Sequence, residues 1–197
     1  MRTYSPLEIE EANVEIYPFV DEWKALLGEP DIRFSSLIRG EAKSGKSTYC
    51  AKFAQMISQF GRVLYVSAEE RIKSKTLQLR VKRCGVTSPK VRFVHTKSID
   101  EIDAIIRTGG YRFVIFDSTQ HINMSYERFE ALRQKYKRRK ISYHLVMQMG
   151  VSIEKWKHEV DVLINVKEGY AYTHGRYGKS DRMQVLDQHK QQQELFQ

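Results

Sequence analysis

An open α/β fold, with a mainly parallel central sheet flanked by helices and an antiparallel extension at its C-terminal end, follows from three features of the chain. Short apolar runs alternate with longer amphipathic stretches, the pattern of strands joined by helical crossovers. A glycine-containing segment, Gly40 to Ser47, lies between one such run and one such stretch. Beyond about His158 the helical periodicity stops, and apolar runs are separated instead by tight turns containing glycine.

Taken in order, Phe19 to Leu27 reads as a short helix with Trp23, Leu26 and Leu27 inward, ended by Gly28 and Pro30. Ser35 to Arg39 is the first strand and runs straight into the glycine segment. Residues 46–60 form a helix. Tyr49, Phe53, Met56 and Phe60 make one stripe on it, with Cys50, Ala54 and Ile57 beside them, a face wide enough to pack on a sheet. Val63 to Ser67 is the second strand, followed by a basic helix from about Arg71 to Arg83. Val91 to His95 is the third strand. The next helix opens with Ser98-Ile99-Asp100-Glu101, a capping-box pattern. Phe113 to Phe116 is continuously apolar, as for a strand covered on both faces. A second basic helix, Ser125 to about Lys140, leads to the buried strand Tyr143 to Met147. A short helix near Ile153 to His158 precedes the strands Val162 to Val166, Tyr170 to His174 and Arg182 to Leu186. One domain is expected over residues 19–187, with an N-terminal extension, 1–18, and a polar, frayed tail, 188–197.

Composition narrows the class. At 197 residues the chain has room for one sizeable core, and 41% hydrophobic with 29% charged residues is the balance of a soluble globular protein. No apolar stretch approaches the roughly 18 residues that cross a bilayer, and the N-terminus lacks a signal-peptide core, so the expected location is the cytoplasm and no membrane partner is expected. Cys50 and Cys84 stand far apart with no CxxC spacing, which reads as two buried free thiols rather than a zinc site or disulfide. Lysine and arginine outnumber aspartate and glutamate by 33 to 24, a net charge of +9 that suits a polyanionic partner without establishing one.

The segment Gly40-Glu41-Ala42-Lys43-Ser44-Gly45-Lys46-Ser47, followed by Thr48, fits G-x-x-x-x-G-K-[ST]. The glycines allow a tight turn whose N–H groups point at phosphate oxygens. Lys46 reaches the β- and γ-phosphates, Ser47 supplies a hydroxyl to Mg²⁺, and the following helix aims its positive end at the same anion. The ligands implied are ATP and Mg²⁺. Asp117 ends an apolar strand, where a carboxylate holds the Mg²⁺ through water, although an aspartate there also serves as a simple helix cap. Glu69 and Glu70 follow the second strand. Either could polarise an attacking water as general base, and both would equally suit the first turn of a helix. Gln148 ends another strand and could contact the γ-phosphate.

The segments SSLIRGEAKSGKST, RVLYVSAEE, YRFVIFDSTQHI and VDVLINVKEGYAYTHGRYG occur in the order of the RecA-like ATPase core. The chain most resembles the RadA/Sms branch, related to DnaB-type helicase motors, over roughly residues 19–187. The resemblance implies a RecA-like P-loop ATPase with Glu69 as catalytic glutamate, Asp117 as the Walker B aspartate and Gln148 coupling the γ-phosphate to a DNA-binding loop. His174, Arg176, Tyr177 and Gly178 fall where that branch carries K-N-R-F-G, whose lysine and arginine reach into the neighbouring subunit's ATP site. It implies a homo-oligomer with ATP at subunit interfaces and single-stranded DNA as partner. The departures are that His174 replaces the lysine, Gly175 replaces the asparagine, and the stretch from Gly150 to Asp161 is short for a DNA-binding loop. The branch's zinc finger and Lon-like domain have no counterpart, which suggests a stripped-down core of phage or mobile-element type.

Two runs of cations could meet a polyanion: Arg71, Lys73, Lys75, Arg80, Lys82 and Arg83, and Arg133, Lys135, Lys137, Arg138, Arg139 and Lys140. Each reads equally as a solvated helix face. Tyr126, Phe129 and Tyr136 have helical spacing and read as packing residues. The leading expectation is a Mg²⁺-dependent ATPase acting on DNA in recombination, repair or replication. The alternative is a nucleotide-dependent switch or assembly module with little hydrolysis. A small-molecule kinase is disfavoured by the lack of an arginine-rich lid.

Overall fold

The structure, a computed structural model, describes residues 2–150, 152–177 and 182–186. A short helix α1 (Pro6–Glu10) precedes α2 (Asp21–Leu27), and β1 (Ser36–Gly40) runs into the glycine segment and α3 (Lys46–Ile57). There follow β2 (Val63–Ser67), α4 (Lys75–Arg83), β3 (Val91–Val94), α5 (Ile99–Gly109) and β4 (Phe113–Asp117). A 3₁₀ turn at Thr119–Ile122, α6 (Tyr126–Lys135), β5 (Ser142–Gln148) and α7 (Glu154–Lys157) lead to β6 (Val162–Lys167), β7 (Tyr170–Gly175) and β8 (Arg182–Gln184).

These strands form one sheet in the order β3-β2-β4-β5-β1-β6-β7-β8. Pairing is parallel from β3 through to β6, and antiparallel for β6–β7 and β7–β8. The alternation within each strand divides the core in two. Ile38, Tyr65, Phe113, Ile115 and Val146 face α2 and α3, packing on Leu26, Leu27, Tyr49 and Phe53. Leu37, Val66, Val114, Phe116 and Leu145 face the other way, onto Ile102, Ile106, Phe129 and Trp156 of α5, α6 and α7. Burial on both faces is why the central strands read as unbroken apolar runs. Tyr17 and Phe19 also lie in the first core, their rings stacked on each other with centroids 5.9 Å apart.

His144, like Ser142, is a buried polar residue on β5. Its ring lies among Phe34, Phe53 and Phe113, and its Nδ1 is 2.8 Å from the Ser36 hydroxyl. Burial pushes it down to about 3, so the imidazole is neutral.

The elements depart from the sequence reading at definite places. The helix expected from Arg71 starts four residues later, because the Ser74 hydroxyl caps the Leu77 N–H. Glu69 and Glu70 therefore sit in a turn and not in a helix's first turn. The second basic helix stops at Lys135, five residues early; Arg139 turns back to donate to the Ile106 and Arg107 carbonyls. The capping box at α5 is half made: Ser98 caps Glu101, but the Glu101 carboxylate accepts from Thr96 Oγ1, which also takes the Ser98 N–H. Cys50 is buried as expected, whereas Cys84 is only partly covered. The short helix expected near Ile153 to His158 does form, as α7, and Ile153, Trp156 and Val160 are buried in the second core. Gly178 and the tail expected from Gln188 lie outside the described residues.

Candidate functional site

The parallel strands all end on one edge of the sheet, and β5 separates β1 from β4. Ligands of open α/β sheets bind at such strand ends. Here the turn after β1, the first residues of α3 and the ends of β2, β4 and β5 enclose a cavity of about 530 Å³. Ala42, Lys43, Gly45, Lys46, Ser47 and Thr48 line one side, and Glu69, Asp117 and Gln148 face them. Of the loop residues, Gly40, Glu41 and Ser44 shape the turn without lining the cavity.

Two glycines are required where they stand. A Cβ on Gly40 would lie 2.2 Å from the Val166 carbonyl oxygen and 2.6 Å from Ser44 Oγ, so only glycine lets the loop leave β1 this close to β6. Gly45, at φ +108°, takes the left-handed turn that points the following N–H groups at the cavity. Lys46 Nζ donates to the Gly40 and Glu41 carbonyls at 2.9 and 2.6 Å, tying the loop to itself. Burial lowers its ammonium's affinity for protons, opposed by Asp117 and Glu69. Ser44 Oγ is buried without a hydrogen-bond partner.

Asp117 closes the floor. Only 8% of it is exposed, and the Tyr65 hydroxyl donates to its Oδ2 at 2.6 Å. Burial raises its carboxyl above the ordinary aspartate value, against hydrogen bonds from Tyr65 and Ser47 and the charge of Arg80, which hold it down. The two candidate bases are sharply different. Glu70 Oε2 pairs with Arg80 at 2.5 Å and Oε1 accepts from Ser74 at 3.1 Å. Burial acts to raise its carboxyl, yet the bonds from Thr76, Arg80 and Ser74 prevail and hold it below the usual range. Glu69 is about half exposed at the cavity mouth, its Oε1 3.6 Å from His121 Nε2. His121 Nδ1 in turn is 2.8 Å from the hydroxyl of Ser118, the residue after Asp117.

Tyr65, Arg80, Arg83, Ser118, His121 and Leu186 thus adjoin the site without having been singled out for it in the sequence. Tyr65 reads as one more apolar-strand residue, and Arg80 as one cation in a basic run. Only their positions across the sheet edge bring them to Asp117.

Arg176 lies elsewhere. Its N–H bonds the Asp161 carbonyl, and Asp161 N–H bonds Ser35, so it sits at the opposite end of β1 from Gly40. Five residues of strand put it about 17 Å from the loop of its own chain. Its guanidinium, 70% exposed, is 3.3 Å from Asp161 Oδ1. His174 is exposed near the end of β7, and the Tyr177 hydroxyl donates to Asp31 Oδ2 at 3.0 Å.

The second basic run is largely committed within the chain. Arg133 pairs with Glu130 and Glu159, Lys135 with Asp103 and Lys140 with Glu15. Lys137 and Arg138 remain exposed. In the first run, Arg80 points inward to Glu70. Phe129 and Tyr136 are buried packing residues, and Tyr126 packs against the same core.

Against solved structures, the chain is similar to the flagellar accessory protein FlaH from Methanocaldococcus jannaschii, with a TM-score of 0.64 over 88% of this chain and 96% of that one. The fold is RecA-like. At 15% identity that likeness speaks for architecture alone. In sequence, the chain is 34% identical over 108 residues to the DNA repair protein RadA of Chlamydia pneumoniae, and 31% identical over 106 residues to that of Bacillus subtilis (strain 168). Each match takes in 53% of this chain, which spans only 23% of the length of either relative. No family model matches. Among the described residues no helix is long and apolar enough to cross a membrane.

Proposed function

We propose that this chain binds ATP with Mg²⁺ at Gly40–Thr48 and hydrolyses it, as the core of an assembly that acts on single-stranded DNA. The observation that carries the reading is the convergence of Lys46, Ser47, Glu69, Asp117 and Gln148 on one cavity from four separate strand ends. In this reading the loop N–H groups and Lys46 hold the phosphates, with Lys46 exchanging its bonds to the Gly40 and Glu41 carbonyls for phosphate oxygens.

The donor set suits Mg²⁺. Ser47 and Asp117 are hard oxygen donors, and among the described residues no cluster of three His, Cys, Asp or Glu could cage a metal by itself. That is the arrangement of an ion held by one or two protein groups together with phosphates and water. When bound, the ion would neutralise charge on the phosphates. Tyr65, Ser47 and Arg80 act against the rise that burial imposes on the Asp117 carboxyl. Glu69, open at the mouth, is the group free to take a proton from an attacking water, because Glu70 is held by Arg80 and Ser74. Gln148 stands beside Gly40 in the β1–β5 register. Arg176, too far to serve its own chain's loop, fits a role in a neighbouring subunit's site, where such a cation contributes about 10³–10⁵ in rate.

The test is ATP turnover at low salt with and without single-stranded DNA, with Lys46→Ala as the blank. Stimulation by DNA supports the reading, and a flat rate across the titration counts against the DNA part of it. A second reading, a nucleotide-dependent assembly switch, has its own support: Arg176 is engaged by Asp161 of its own chain, and the stretch after β5 is packed as α7. A switch would change oligomeric state with ATP and ignore DNA.

A further inference from the structure

We propose that His121 is a positioning residue for Glu69: its Nε2–H holds the Glu69 carboxylate at the cavity mouth, and the Ser118 hydroxyl fixes the imidazole tautomer that can do so. The inference rests on the reading of Glu69 as the base that takes a proton from the attacking water. Glu69 stands in the turn after β2, whose backbone is fixed on both sides of it. The Ala68 N–H bonds the Asp117 carbonyl at 2.8 Å, and the Ser67 hydroxyl donates to the Glu70 carbonyl at 2.7 Å. The Glu69 side chain has no such anchor. With 55% of it exposed, it is open to several rotamers, whereas a base must lie within hydrogen-bond reach of the proton it abstracts. Lys46 attracts the carboxylate and Asp117 repels it through the cavity. Among the described residues its one ion-pair partner is His121, whose Nε2 is 3.6 Å from Oε1. Contacts to a base often tighten only with substrate in place, and this one is close enough to be drawn into a hydrogen bond.

His121, by contrast, is held. It lies in the 3₁₀ turn Thr119–Ile122, which follows β4 directly. Thr119 and Ile122 of that turn are buried, and the Thr119 hydroxyl donates to the Val146 carbonyl of β5 at 3.1 Å. Ser118 is the N-cap of the turn, yet its hydroxyl caps no backbone N–H. It lies 2.8 Å from His121 Nδ1 instead, and Ser118 is only 2% exposed. A neutral imidazole has one donor nitrogen and one acceptor, and its partners decide which is which. A proton on Nδ1 would leave the Nε2 lone pair facing the Glu69 carboxylate. With Ser118 donating to Nδ1, the proton sits on Nε2 and is offered to Glu69, and an imidazolium offers it as well. Ser118, His121 and Glu69 thus form one chain from the residue beside Asp117 to the cavity mouth, and both of its ends line the cavity.

The test is steady-state ATP turnover by the full chain, with nitrogen NMR of the His121 ring beside it. His121→Ala should lower kcat about tenfold, while KM for ATP, binding of a fluorescent ATP analogue and melting temperature stay near wild type. His121→Asn keeps a partner for Ser118 but is too short for Glu69, and should fall as far. His121→Gln, whose amide N–H reaches to where Nε2 stands, should recover most of the rate. In a Glu69→Gln background His121→Ala should cost nothing further, because both changes act through one carboxylate. The nitrogen shifts should report Nε2 as the protonated nitrogen of the neutral ring, and Ser118→Ala should admit the other tautomer. Wild-type kcat in His121→Ala, the same loss repeated in the Glu69→Gln background, a Gln variant no faster than Asn, or a neutral ring protonated at Nδ1 alone would each overturn the proposal. None of these touches the base reading as long as Glu69→Gln itself is slow. Full turnover in Glu69→Gln, or none in the wild type, removes the base reading and this proposal with it.

Discussion

Replacing Tyr65 by phenylalanine removes a single hydroxyl and tests how the carboxyl of the buried Asp117 is held down against its burial. The Tyr65 ring is 1% exposed and packs against Phe93 with centroids 4.8 Å apart, so Tyr65→Phe leaves no cavity and the whole effect comes from the bond to Asp117. A hydrogen bond to a charged group contributes about 1.5–3 kcal/mol. At roughly 2–4 °C per kcal/mol for a chain of this size, the melting temperature should fall by about 3–12 °C near neutral pH. The sign with pH follows from Asp117. Its carboxyl is already raised by burial, and losing the Tyr65 bond, which holds it down, raises it further. The penalty therefore applies where the carboxyl is ionised and shrinks as pH falls through its folded value. If Asp117 holds Mg²⁺ as proposed, Mg²⁺·ATP affinity should be lost at a higher pH in the variant than in the wild type. The assays are thermal unfolding and Mg²⁺·ATP titration at a series of pH values. A melting temperature within 1 °C of wild type at neutral pH, or a gap that persists unchanged into acid, would refute the reasoning.

Other outcomes follow from the same geometry. Glu69→Gln should keep ATP binding and lower turnover by about 10²–10⁴, measured under saturating ATP, whereas Glu70→Gln should cost stability through the Arg80 pairing instead; full activity in Glu69→Gln would send the base role elsewhere. Arg176→Ala should leave ATP binding by the isolated subunit intact and reduce turnover only in the assembled state. Its guanidinium is 70% exposed and the Asp161 carboxylate keeps its bonds from Ser35 without it, so stability should change by under about 1 kcal/mol, and wild-type turnover in the assembly would exclude a role across the interface. His144, folded at about 3 against an ordinary 6.5, takes up its proton only on unfolding, so stability should fall as pH drops through that window, by up to about 1.4 kcal/mol per unit. Chemical denaturation of His144→Asn against wild type should show a flatter profile between those values.

What the sequence discloses and what it withholds divide along a physical line. The strands of the parallel sheet were legible to within a residue or two because burial on both faces leaves no polar interruption in Val63–Ser67 or Phe113–Asp117. The shape of the loop Gly40–Thr48 was legible because it is set locally: Gly40 and Gly45 allow the turn, and Lys46 closes it on the Gly40 and Glu41 carbonyls. Helix ends were less so, since α4 begins where Ser74 can cap it and α6 ends where Arg139 finds carbonyls on α5, and neither partner is visible from the run of basic residues itself. The same holds for the site's second half. Glu69 and Glu70 are adjacent and chemically alike; what separates them is Arg80, ten residues on, which engages one and leaves the other at the cavity. Charge told the least. A run such as Arg133 to Lys140 looks like a surface for a polyanion until the fold supplies Glu130, Glu159, Asp103 and Glu15 as partners. The net charge of +9 thus does not by itself mark a nucleic-acid surface, because the longest-looking basic run, Arg133 to Lys140, is largely matched by acids of its own fold.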